Sequence, residues 1–271
     1  MIVQRTLKLT IAYDGTNFLG WQVQPQGRTV QGVLEEAASQ LTGRPVRALA
    51  SGRTDTGVHA LGQVVSLRTE SQHAPEVFVR ALNASLPPDV SVLAAKEVNA
   101  DFHPIRDCVA KRYRYIWRDG AERDIFTSRY AWHVNHRLDD AAMQCAADTL
   151  VGEHDFAAFQ STGAPRKSTV RTVTELSLCR RETLPGFSAQ PLQSSPEIAE
   201  ENGSRDFVVM EIAADGFLYN MVRAIAGTLI EVGLRKQPTT WPQQVLNRHD
   251  RALAGATAPP HGLFLVSASY A

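Results

Sequence analysis

RTLKLTIAYDGTNFLGWQVQPQGRTVQGVLEEAASQLTG, Arg5 to Gly43, holds the two periodicities on which the fold depends. Leu7, Leu9, Ile11 and Tyr13 alternate with polar residues, the period of a strand with one buried face. Val30, Val33, Leu34, Ala37 and Leu41 then recur at helical spacing, with Thr29 placed to cap the start and Gly43 the end. Further on, strands at about 46–50 and 64–68, a helix at about 75–86 and a strand at about 90–98 complete a β-α-β-β-α-β unit. The second half repeats the order. A strand at about 109–118 precedes a helix at 138–151, whose Leu138, Ala142, Cys145, Ala146 and Leu150 share one face. Strands near 170–180 and 207–213, a helix at 217–232 and a strand at 263–269 follow. The expected architecture is α+β, with ferredoxin-like halves at 1–100 and 101–271 that share a pattern but no sequence identity. Glu182 to Ser204, rich in Pro, Ser, Gln and Glu, buries little apolar surface and reads as a flexible insertion between two strands.

The 271 residues suffice for a sizeable core, and 44% hydrophobic content with 21% charge is ordinary for a soluble chain. The N-terminus lacks the apolar core of a signal peptide and no apolar run is long enough to span a bilayer, so the expected compartment is the cytoplasm. Cys108, Cys145 and Cys179 are far apart, a spacing that argues against a disulfide framework or a thiolate metal site. His133 and His136 have no supporting ligand motif, and no phosphate-binding glycine loop is present, so neither metal nor cofactor is expected. The formal net charge is zero, but charge is clustered locally. Arg106, Lys111, Arg112, Arg114 and Arg118 face only Asp107, and Arg166, Lys167, Arg171, Arg180 and Arg181 face only Glu175. Charge alone fits solvated faces equally well. With Tyr113, Tyr115 and Trp117 interleaved, the first cluster also suits phosphate contact and base stacking.

ASGRTDTGVHALGQ, Ala50 to Gln63, lies in the expected loop between two short strands and places Asp55 in a tight turn. Asp and Gly favour turns without any function. A nearby Arg53 guanidinium would hold the Asp55 carboxyl ionised, lowering its pKa by about one to three units and suiting it to nucleophilic attack. Asp55-Thr56-Gly57 also matches the Asp-Thr-Gly of dimeric aspartic proteases, but Arg53 opposes the shared proton such a dyad needs. Tyr113 is placed to stack on a base or to pack in the core. Arg223 falls among the apolar residues of an amphipathic helix, where an arginine needs a partner such as an ionised aspartate.

These stretches together resemble the tRNA pseudouridine synthase A family: YDGTNFLGWQVQPQGRTVQGVLEEA near the start, GRTDTGVHALGQ, KRYRYIWR, GEHDFAAF, FLYNMVRAIAGTLIEVG and TAPPHGLFLV, in that order. The resemblance implies two ferredoxin-like halves forming one continuous, mainly antiparallel sheet with helices on one side and an RNA-binding cleft between the halves, in a homodimer. It implies isomerisation of uridine to pseudouridine at positions 38, 39 or 40 of the tRNA anticodon stem-loop, without a cofactor. Asp55 then corresponds to the nucleophile, Tyr113 to the ring on the target base, Arg223 to the arginine paired with the aspartate and Arg53 to the arginine of base extrusion. Thr54, Gly57, His59, Arg112 and Arg114 are the further substrate-binding candidates, with Leu263 and Leu265 lining the pocket wall. The chain departs from the family pattern at Pro104, Ile105 and Gln160 and in the length of Glu182 to Ser204; Arg106 and Arg166 are the candidate substitutes for the missing arginine contacts. A binding protein on the same fold is the alternative, and it would not need Asp55.

Overall fold

The computed structural model describes residues 4–163, 168–185 and 206–271; the 182–204 insertion lies mostly, and Arg166 and Lys167 wholly, outside the described residues. The elements begin with β1 (Arg5–Tyr13), α1 (Val30–Thr42), β2 (Ala48–Ala50), β3 (His59–Thr69), α2 (Pro75–Ser85) and β4 (Val90–Val98). They continue through β5 (Cys108–Asp119), β6 (Trp132–Val134), α3 (Asp140–Asp148), β7 (Gly152–Asp155), β8 (Val170–Arg181), β9 (Phe207–Ala214), α4 (Met221–Gly233), α5 (Trp241–Arg248) and β10 (Leu263–Tyr270). Two compact units divide the chain, one at residues 1–109 with 264–271 and the other at 110–263.

In the first unit β1 lies between β4 and β3, antiparallel to both, and β2 adds antiparallel to β3, giving the order 4-1-3-2 of a ferredoxin-like sheet. Leu7, Leu9 and Ile11 of β1 are fully buried, as their alternation requires. Thr29 caps α1 by accepting the Gly32 N–H, and Gly43 ends the helix in the left-handed conformation at φ 70. β3 begins at His59, earlier than the apolar pattern indicates, because nearly all of its residues are buried and alternation is lost. The catalytic-candidate loop is therefore shorter than expected, and the last residues of ASGRTDTGVHALGQ are strand. Phe264 and Leu265 of β10 pair in parallel with His59 and Ala60, so this last strand belongs to the first unit rather than with its sequence neighbours.

In the second unit β9 lies between β5 and β8, antiparallel to both, with β7 outside β8 and the short β6 on β5. Trp117, Tyr115, Phe156 and Phe159 form the centre of its core. α3 is shorter than the 138–151 pattern, and it buries Met143, Ala146 and Ala147 while Cys145 is exposed, so the expected apolar face is rotated. α4 starts at Met221 rather than 217, since Asn220 at φ 60 sits outside helical geometry. Every α4 residue is buried except Arg223 and Glu231, and Gly227 is required there because a Cβ would meet the Ala256 carbonyl oxygen at 1.7 Å. Among the described residues no helix is long and apolar enough to cross a membrane.

Candidate active site

Asp55 is half-buried at the first position of a turn in which its carbonyl accepts the Val58 N–H at 3.1 Å. Gly57 has φ 78 at the third position, where only glycine enters at no steric cost. The residue before Asp55 is drawn inward: Thr54 is 7% exposed, its hydroxyl hydrogen-bonds the Tyr13 hydroxyl at 2.8 Å, and its carbonyl accepts the Trp21 N–H at 3.0 Å. With Thr54 facing the interior, Arg53 is left exposed.

Two glycines that the sequence reading did not single out let the 14–21 segment lie directly on this turn. A Cβ on Gly20, whose φ is 82, would sit 2.5 Å from the Thr54 carbonyl oxygen and 3.1 Å from the Asp55 carbonyl carbon. One on Gly15 would meet the Val58 oxygen at 2.0 Å. His59 is 1% exposed, stacks on Phe264 with ring centroids 4.7 Å apart, and accepts the Gly15 N–H at Nδ1. The same nitrogen lies 3.1 Å from Asp14 Oδ1. A nitrogen accepting the Gly15 proton carries none of its own, so the backbone bond and an Asp14 ion pair exclude each other; Asp14 Oδ1 also takes both the N–H and the hydroxyl of Thr16. His59 therefore anchors the loop end from within the fold.

In the second unit, Tyr113 is 8% exposed on β5 and meets Phe217 edge-on at 5.0 Å. Arg112 and Arg114 share the other face, as alternation predicts. Arg114 is 1% exposed and gives two hydrogen bonds to Glu211 Oε1, at 2.9 and 2.7 Å. Arg112 forks onto Glu175 and reaches Glu211 Oε2 at 3.2 Å; this guanidinium holds the Glu175 carboxyl below the usual carboxylate range. Arg223 gives hydrogen bonds to the Ala258 carbonyl at 2.7 Å and to Asn220 Oδ1 at 2.9 Å, which fixes the α4 start. Tyr115 is buried, gives its hydroxyl proton to the Pro259 carbonyl and has its pKa raised by burial, with the nearby Arg223 charge opposing. Leu263 is 6% exposed and Leu265, in the first unit, is fully buried.

Several of the described arginines in the two basic clusters are paired with acids. Arg106 pairs with Asp107, Arg118 with Asp124 and Asp206, and Arg180 with Asp119 and Asp140. A linear count of charge misses the partners of Arg118 and Arg180, which stand outside the two clusters in sequence. At the positions that depart from the family pattern, the Pro104 carbonyl accepts the Tyr270 hydroxyl, and Ile105 is exposed. His133 holds the Gly120 carbonyl, and among the described residues no three His, Cys, Asp or Glu side chains group as metal ligands.

The sequence matches the family model described as tRNA pseudouridine synthase over residues 9–105 and 146–271. The chain belongs to the tRNA pseudouridine synthase family. Relatives named tRNA pseudouridine synthase A are similar over nearly the whole chain. Those of Acetivibrio thermocellus and Pelobacter propionicus are each 41% identical over 98% of this chain and 100% of their own. That of Halalkalibacterium halodurans is 40% identical over 96% of this chain and 90% of its own. Family membership makes the chain an isomerase acting on tRNA and leaves the protease and the non-catalytic binding protein unfavoured. Asp55 is inside the first matched block and Arg223 inside the second, whereas β5 with Tyr113 falls between the two blocks.

Proposed function

We propose that the enzyme converts uridine to pseudouridine at positions 38, 39 and 40 of the tRNA anticodon stem-loop, with Asp55 as the nucleophile. The observation that carries this is the half-buried Asp55 carboxylate on a turn tied down on both sides, by Thr54 before it and Val58 after it. A nucleophile that enters the reaction already placed forgoes the cost of being ordered.

The chemistry is balanced without a redox partner. The bond from ribose C1′ to N1 breaks, the base turns, C1′ joins C5, and the proton on C5 is removed. Asp55 attacks the target nucleotide at C6 or C1′. Tyr113, nearly buried beside Phe217, packs on the base and assists removal of the C5 proton. Arg223 supplies positive charge from the first turn of α4. Arg53, exposed beside Asp55, takes the place of the extruded base, a step whose unstacking costs roughly a few kcal/mol. Arg112 remains a phosphate candidate, whereas the burial of Arg114 against Glu211 suits it to holding β5. A homodimer in the cytoplasm completes the proposal.

Tritium release from tRNA labelled at uridine C5 tests it. Wild type is expected to release label and Asp55→Ala none, with tRNA binding kept. Equal loss of binding and turnover would remove Asp55 from the nucleophile's role.

A further inference from the structure

Four buried polar side chains are linked to the chain just before Asp55, and the reaction scheme uses none of them. Ser51 and Gln63 are fully buried, Tyr13 is 5% exposed and Thr54 is 7% exposed. Ser51 gives its hydroxyl proton to Gln63 Oε1 at 2.6 Å, and Gln63 Nε2 donates to the Gly52 carbonyl at 2.8 Å. The Tyr13 hydroxyl bonds Thr54 Oγ1 at 2.8 Å and also interacts with the Gln63 side chain. The chain of bonds runs from β1, through β3, to the loop at residues 51, 52 and 54. Each link is neutral, and leaving any of these buried groups unmatched would cost about 1–3 kcal/mol.

We infer that Tyr13, Gln63 and Thr54 are positioning residues that set the place of Asp55, Thr54 acting through its bond to Tyr13 rather than by touching RNA. The inference rests on the assignment of Asp55 as nucleophile. Two features support it. The Thr54 hydroxyl is buried and already committed, whereas a substrate contact needs an open partner. Burial also raises the Tyr13 phenol to about 12, so it stays protonated at any working pH, and the chain does not change as the solution titrates. A shift of even 1 Å in a reacting group costs on the order of a hundredfold in rate, and such a chain of bonds prevents that shift.

A double-mutant cycle separates positioning from substrate contact. Thr54→Val removes the hydroxyl at constant shape, Thr54→Ser keeps it, and Tyr13→Phe removes its partner. Single-turnover rate at saturating tRNA, tRNA Kd and thermal midpoint are measured for each and for the Tyr13→Phe/Thr54→Val double variant. The expected result is a loss of about 10- to 100-fold in rate for Thr54→Val and for Tyr13→Phe, with Kd within about twofold of wild type. Thr54→Ser keeps most of the rate, and the double variant is no slower than the slower single, as for two residues acting as one unit. Losses that multiply, a loss that falls on Kd, an inactive Thr54→Ser, or a rate that tracks only the unfolded fraction would each overturn the inference. Wild-type rates in these variants alongside a dead Asp55→Ala would refute positioning and spare the nucleophile; turnover by Asp55→Ala would refute the nucleophile itself.

Discussion

The loop that carries Asp55 is fastened by neutral groups, while the strand that carries Tyr113 is fastened by charges. Around Asp55 the fixings are hydroxyls, an amide side chain and backbone groups, with Gly15 and Gly20 allowing one chain segment to lie against another. Around Tyr113 they are Arg112 and Arg114, closed on Glu175 and Glu211. The contrast follows from what each region presents. A neutral mounting adds no fixed charge beside a carboxylate meant to react. A strand whose other face carries the ions can hold an aromatic ring without placing charge on it. Leaving one buried neutral group unmatched costs about 1–3 kcal/mol, whereas a buried charge left alone costs about 3–5 kcal/mol.

The largest expected effect is therefore at Glu211. Glu211→Ala leaves the Arg114 guanidinium buried with its principal carboxylate gone, and unfolding free energy is expected to fall by about 3–5 kcal/mol in denaturant titration. Replacing both partners by Arg114→Met and Glu211→Leu restores most of it, because the desolvation cost of the charges goes too. A single variant as stable as wild type would show that the pair is not held as buried charge.

Next is Gly20→Ala. The left-handed φ of 82 and the 2.5 Å approach to the Thr54 oxygen both oppose a Cβ, so about 1–3 kcal/mol of stability is expected to be lost. The strain is delivered to Thr54 and Asp55, and turnover is expected to fall by about a hundredfold, beyond what unfolding explains. Gly43→Ala, where a Cβ meets nothing within 4 Å, shares only the backbone strain and leaves turnover unchanged. If the two alanines behave alike, close approach at Gly20 has no bearing on the site.

Local signals were legible in the sequence, and long-range ones were not. The caps at Thr29 and Gly43 and the alternation of β1 fix α1 and β1 from neighbours alone. Asp55, Gly57 and the turn between them are equally local. α5 escaped because eight residues with Pro242, Val245 and Leu246 buried give too short a period to recognise, and β6 and β7 are shorter still. The partners of the site are separated by many residues: Tyr13 from Thr54 by 41, and Arg114 from Glu211 by 97. Nothing in a linear reading marks Gly20 as the residue beneath Asp55.

The smallest effect appears only far from neutrality, and it differs in sign for the two mountings. The Tyr13 phenol titrates near 12 in the fold, raised by burial, and near 10 in the unfolded chain. A raised folded pKa contributes stability in full below pH 10, and that contribution is lost as pH climbs from 10 to about 12. Tyr13→Phe removes this group, so its denaturation midpoint is expected to decline less steeply than wild type across that interval; Tyr115 and Tyr270, also raised by burial, keep some decline in both. Glu175 behaves oppositely. Arg112 depresses its carboxyl, so its contribution is present above the unfolded glutamate value of about 4.3 and fades as pH falls below it. Glu175→Gln should flatten the acid limb and leave the alkaline one alone, with Tyr13→Phe doing the reverse. If both variants flattened the same limb, the division into a neutral and a charged mounting would fail, because each would then be sensing the other's ionisation.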